Sequence, residues 1–171
     1  VDVKISELAV STTGTDWEFL ELSGTAGTSL DGLQLVQIGA TGDVLSTVDL
    51  TGGVIGESGF YLAASTQAET TFGVAGDQSL ANNTFANVSS SFLLVQGAGT
   101  LAGDLDADDD GTLDAPLTVV DGVALTAGDS PLLYTDAVVG PDGSYLPAGA
   151  ERQTDGSFAM TSFADSTTYS P

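Results

Sequence analysis

Leu33-Gln34-Leu35-Val36-Gln37-Ile38-Gly39-Ala40-Thr41-Gly42-Asp43-Val44-Leu45-Ser46-Thr47-Val48-Asp49-Leu50 is the stretch that decides the fold. Two apolar runs, 33–39 and 44–50, flank Ala40-Thr41-Gly42-Asp43, with glycine where a positive φ is cheap. This reads as a β-hairpin.

The same texture continues on both sides. Val3–Val10, Trp17–Ser23, Gly59–Ala64, Ser91–Gln96, Leu117–Leu125, Pro131–Tyr134 and Ala137–Val139 are the further candidate strands. Turn signals recur at Asp31-Gly32, Gly52-Gly53 and Asp142-Gly143. Residues 66–90 are polar and Asn-rich and read as a long loop with little regular structure. Short strands with turns every ten or so residues predict an all-β sandwich. No Pro- or Ser-rich linker divides the chain and no repeat occurs, so one domain is expected over 1–171.

Composition narrows the function classes. The chain carries 24 acidic residues against Lys4 and Arg152 alone, a net charge of −22. Such a surface repels phosphate backbones, so direct binding of nucleic acid or an anionic membrane is not expected. With 42% hydrophobic residues it is nevertheless no disordered acidic tail. Screening in saline or calcium-rich surroundings would relieve its self-repulsion. The absence of histidine excludes an imidazole base or ligand, and the absence of cysteine excludes thiolate chemistry and disulfides. No apolar run approaches the roughly 20 residues that span a bilayer. The chain begins at Val1 without a leader and reads as a mature or excised piece.

The chemistry concentrates in Asp104-Leu105-Asp106-Ala107-Asp108-Asp109-Asp110-Gly111-Thr112-Leu113-Asp114, six carboxylates in eleven positions. Alternate aspartates followed by glycine are how a short loop wraps hard oxygens round Ca²⁺. In that register Asp106, Asp108 and Asp110 supply side chains, Gly111 the sharp turn, Thr112 a carbonyl oxygen and Asp114 the ninth position. A bidentate Glu belongs at the twelfth position, where Leu117 stands, and neither flank is an amphipathic helix. The pattern is a calcium loop without being an EF-hand. Asp104 and Asp121 are the nearest sources of a missing ligand, and one ion is the simpler expectation. Mg²⁺, which keeps its waters, fits less well. The competing reading is a solvated acidic turn. The glycines preceding the loop, Gly97-Ala98-Gly99 and Gly103, lack the spacing and the following helix of a dinucleotide fingerprint, and read as the swing into it. Asn82-Asn83-Thr84 and Asn87-Val88-Ser89 are formal glycosylation sequons.

A family cadence runs through most of the chain: Ile5-Ser6-Glu7-Leu8, then Trp17-Glu18-Phe19-Leu20-Glu21-Leu22, then Ser29-Leu30-Asp31-Gly32-Leu33-Gln34-Leu35. The aspartate turn, Val119-Val120-Asp121-Gly122-Val123-Ala124-Leu125, Ala150-Glu151-Arg152, Asp155-Gly156, Phe163 and Ser170-Pro171 follow in order. The sequence from about residue 3 to 171 resembles the lamin-tail domain, in its bacterial, secreted form. The resemblance implies an immunoglobulin-like β-sandwich with an inserted acidic loop. It also implies a non-catalytic accessory module of a larger extracellular or surface protein, with a protein or glycan partner. The DNA contacts of eukaryotic lamin tails do not carry over to so acidic a chain.

Period-2 alternation puts Trp17, Phe19 and Glu21 on one face of their strand and Glu18, Leu20 and Leu22 on the other. Either way a carboxylate shares an apolar face, which is costly unless it is paired or hydrogen-bonded. Arg152 is the expected partner of Glu18 or Glu21. Glu18 and Glu21 point to opposite faces and cannot flank one bond, although Glu7 could join one of them from a neighbouring strand. Trp17, Phe19, Phe60, Tyr61, Phe92 and Tyr134 read as core, Tyr145 and Tyr169 as more exposed. The expectation is therefore no enzyme. A calcium-dependent carbohydrate-binding module is the alternative, and a hydrolase using metal-bound water is the weaker third.

Overall fold

A computed structural model describes residues 1–162 and 164–171; Phe163, part of the family cadence, lies outside the described residues. Among the described residues eleven strands form two sheets packed face to face, the all-β sandwich expected from the sequence. The first sheet has the order β11(Phe158–Thr161), β10(Gly149–Arg152), β1(Val3–Ala9), β2(Phe19–Gly24), β5(Phe60–Ser65), β6(Gln78–Leu80). The second runs β4(Val44–Asp49), β3(Leu33–Gly39), β7(Ser90–Gln96), β8(Thr118–Leu125), β9(Val138–Val139). Pairing is antiparallel except for β5 with β6 and β8 with β9.

Alternation along the strands builds the core. Ile5, Leu8, Leu20, Leu22, Leu35 and Phe92 interdigitate between the sheets with no solvent exposure. Full burial of a side chain of this size contributes about 1.5–3 kcal/mol. The quoted hairpin forms as β3–β4, with Gly42 at φ +85° in its turn.

Both outer faces are also covered, which the sequence did not announce. On the first sheet, Trp17, Phe19, Leu62 and Ala64 pack under helix α1(Thr66–Phe72) and under Tyr169. On the second, Val36, Ile38, Leu93 and Val95 lie beneath Leu101, Leu105, Leu113, Leu117 and Tyr134. The acidic insertion between β7 and β8 is therefore a lid with apolar feet. This explains why β3 and β7 are buried along almost their whole length.

The structure departs from the sequence expectation at five places. Segment 66–90 contains α1 and β6; Ser65 caps the helix by accepting from Ala68 N at 3.2 Å, and Gly73 closes it at φ +67°. Pro131–Tyr134 forms no strand, because Tyr134 N is taken by the Ser91 side chain rather than by a ladder. Strands β10 and β11 form where none was expected. Tyr169 is buried among aromatic rings and Phe60 is 43% exposed, the reverse of the reading from local polarity.

Candidate metal centre

The aspartate loop is anchored at both ends before any ligand chemistry begins. Its entry pairs with the β3–β4 turn: Val44 N donates to Gly103 O (2.8 Å) and Leu105 N to Gly42 O (3.0 Å). The fit is close. A Cβ on Gly42 would stand 2.6 Å from Asp104 Oδ1 and 2.8 Å from Asp106 N. Its exit is tied back by Asp114 N to Leu105 O (2.8 Å), and by Ala107 N to Asp114 Oδ2 (2.8 Å).

Within this frame Asp106 is the organising residue. It has no solvent exposure. Its Oδ1 accepts from Asp110 N (3.2 Å), and its Oδ2 from Gly111 N (3.0 Å) and the Tyr134 hydroxyl (2.8 Å). Asp104 Oδ1 accepts from Asp106 N (2.9 Å), and Asp110 Oδ1 from Thr112 N (2.8 Å). Asp109 and Gly111 adopt φ +53° and +85°, and so turn the chain round Asp106.

Carboxylate oxygens of Asp106, Asp108 and Asp110 lie within 4.8 Å of one another, with Asp106 buried and the other two exposed. Two ligands of one Ca²⁺, each 2.3–2.6 Å from the ion, are at most about 5 Å apart, so the three oxygens could share one cation. All the donors are hard oxygens, as Ca²⁺ or Mg²⁺ requires. Electrostatics agree. Asp110, with further contributions from burial and from Asp114 and Asp106, raises the Asp108 carboxyl above its usual range. Burial opposes ionisation of Asp106, but the donors from Tyr134, Gly111 and Asp110 outweigh it and hold this carboxyl low. Burial and the neighbouring Asp106 push the Tyr134 phenol upward, so it stays a donor.

The other residues expected at the site divide. Asp104 and Asp114 shape the loop through the hydrogen bonds above, and Thr112 follows Gly111 in the turn. Asp121 is elsewhere occupied: on β8 it accepts from Ile5 N (2.8 Å) and forms an ion pair with Arg152. Tyr134, which its hydrophobic neighbours make read as core, stands beside the aspartates instead, and no sequence spacing links it to Asp106.

The Arg152 expectation is corrected by the same contact. Its guanidinium serves Asp121, Ile5 O (2.8 Å) and Gly156 O (2.9 Å), and stacks 4.2 Å from the centre of the Phe158 ring. Glu18, fully buried, is instead met by two backbone amides, Thr84 N (2.8 Å) and Phe85 N (2.9 Å). Burial still lifts its carboxyl to about 6. Of the two sequons, Asn82 is exposed and Asn87 donates its amide to Asp16 (3.0 Å).

No family model matches the chain, and no curated protein or solved structure matches it significantly. No helix among the described residues is long and apolar enough to cross a membrane.

Proposed function

We propose that this chain is a non-catalytic accessory module of a larger secreted or surface protein, and that Ca²⁺ orders its aspartate loop. The observation that carries the reading is the convergence of Asp106, Asp108 and Asp110 on a loop whose leucines cover the outer face of the second sheet. A cation there would neutralise the repulsion among the carboxylates and fix the lid at once. Binding by the folded form alone then stabilises the fold by mass action. The lamin-tail resemblance of the sequence supports the accessory role, and the charge of −22 supports an extracellular, calcium-containing setting.

A structural role for the cation is favoured over capture of a sugar. The aromatic ring beside the loop, Tyr134, is committed to Asp106, and the freely exposed Tyr145 belongs to a separate turn. The test is Tb³⁺ luminescence, which Tyr134 sensitises if a lanthanide enters the loop. Emission that Ca²⁺ displaces, and that disappears in an Asp108→Asn/Asp110→Asn variant, supports the proposal. Absence of sensitised emission together with an unchanged melting temperature in Ca²⁺ would sink it.

A further inference from the structure

On the outer face of the first sheet, three glutamates stand in one row across three strands. Glu7 on β1 is the register partner of Glu21 on β2 and of Glu151 on β10. Residues directly opposite on adjacent strands share a face, with Cβ atoms about 4.5–5.5 Å apart, and like charges there destabilise the sheet. Glu7, in the middle, is 1% exposed and Glu21 7%. Among the described residues no cation forms an ion pair with the row. Arg152–Asp121 is the one ion pair among the described residues, and Lys4 is exposed opposite Ser23.

What covers Glu7 is the segment from Asp165 to Pro171. Ser170 N donates to Glu7 Oε2 (3.1 Å) and Oε1 (3.3 Å), and the Ser170 hydroxyl lies 3.5 Å from Glu7 Oε2 and 3.3 Å from Glu151 Oε1. One residue earlier, Tyr169 packs edge-on against Trp17, ring centroids 6.2 Å apart. Ser162 N, just after β11, donates to the Thr168 hydroxyl (3.0 Å) in the middle of the segment. Beside it a cleft of about 550 Å³ reaches Glu21, Glu151, Asp77 and Arg152 and opens to solvent next to the row.

We propose that segment 165–171 is a pH-dependent strap, docked while Glu7 carries a proton and lifted when Glu7 loses it. The proton removes two repulsions at once, toward Glu21 and toward Glu151. Without it the middle carboxylate is charged while buried between Glu21, whose own carboxyl burial raises, and Glu151, with Ser170 of the strap across it. Lifting seven residues hydrates that charge at far lower cost than opening the sandwich. The charged and titratable groups bearing on Glu7 are Glu21 from β2, Glu151 from β10 and the Tyr169 phenol from the strap; Asp16 acts on that phenol from the approach to β2. Burial, reinforced by Glu21 and Glu151 and opposed by the Ser170 amide, raises the Glu7 carboxyl to about 8. The strap adds to the burial that raises Glu7, so lifting it lowers that value; docking is therefore favoured at low pH and lost as pH rises through about 8.

Trp17 is the only tryptophan, so its emission reports strap docking. Emission and far-UV circular dichroism are recorded from pH 6 to 9.5 at fixed Ca²⁺. The strap predicts a red shift with a midpoint near 8 and an unchanged sheet spectrum. Glu7→Gln should hold the docked emission throughout. Glu151→Gln, at a half-buried position, should leave Glu7 easier to ionise and move the midpoint to lower pH. The second variant tests the idea even if the first fails to fold. A flat wild-type emission, the same transition in Glu7→Gln, an unmoved midpoint in Glu151→Gln, or loss of the sheet signal with the shift would each overturn it.

Discussion

The hydroxyl of Tyr134 donates a 2.8 Å hydrogen bond to Asp106 Oδ2, tying the segment after β8 to the buried aspartate of the acidic loop. Tyr134 is itself fixed to β7, its backbone N donating to Ser91 Oγ at 2.9 Å. The phenol thus adds a side-chain tie between the loop and the sheet beneath it.

Removing that phenol should cost metal affinity before it costs fold. Tyr134→Phe keeps the ring that packs over Leu93 and its neighbours but leaves Asp106 with two backbone donors. Loss of a residue that orients a ligand weakens metal binding by about 10-fold or more. A calorimetric Kd for Ca²⁺ equal to the wild-type value would show that Tyr134 does not orient Asp106.

Gly42 should be irreplaceable for a different reason. A methyl group there meets Asp104 Oδ1 and Asp106 N, in addition to the strain of φ +85°. Gly52, at φ +88° with open space around its Cβ direction, isolates the backbone term. Gly52→Ala should cost about 1–2 kcal/mol, and Gly42→Ala clearly more, with a weakened response to Ca²⁺. Equal costs by denaturant unfolding would mean that the turn does not seat the loop.

The Asp121–Arg152 pair crosses from one sheet to the other, and both partners also serve Ile5, through its N–H and its carbonyl. Arg152→Ala strands a largely buried carboxylate and should destabilise by about 2–3 kcal/mol. A double-mutant cycle with Asp121→Ala should return a coupling of about 1 kcal/mol or more, whereas additive effects would deny the interaction.

Much of this architecture is legible in the chain, and the exceptions share a cause. The hairpin at 33–50 and the strands near 3–10, 91–96 and 117–125 announce themselves by long apolar or β-branched runs. Strand β10 does not. Gly149-Ala150-Glu151-Arg152 carries charge within a four-residue element, and only its neighbours β1 and β11 make it a strand. Helix α1, Thr66-Gln67-Ala68-Glu69-Thr70-Thr71-Phe72, lacks an apolar period and is defined by the Ser65 and Gly73 caps. The aspartate ligands were readable because their spacing is local. Tyr134, and the commitment of Asp121 to Arg152, depend on pairings between residues 28 and 31 apart, which no local pattern encodes.

Acidity should help this fold over part of the pH range. The Glu18 carboxyl is raised to about 6 in the folded state against 4.5 as its ordinary value. Its contribution is therefore fully present below pH 4.5 and lost as pH rises through 6. Melting temperatures in chelator should fall across this window. Glu18→Gln, which keeps one oxygen for the amides of Thr84 and Phe85, should fall less steeply. An identical slope in both proteins would remove Glu18 from the account.

Whether Ca²⁺ orders the aspartate loop is decided by calcium titration calorimetry on chelator-stripped protein, paired with melting curves with and without Ca²⁺. Binding should be saturable and lost in Asp106→Asn. A stabilisation of about 2.7 kcal/mol is expected when free Ca²⁺ reaches a hundred times Kd, seen as a rise in Tm. No binding heat and an unchanged Tm would contradict ordering by Ca²⁺, and would make residues 104–114 a solvated acidic turn.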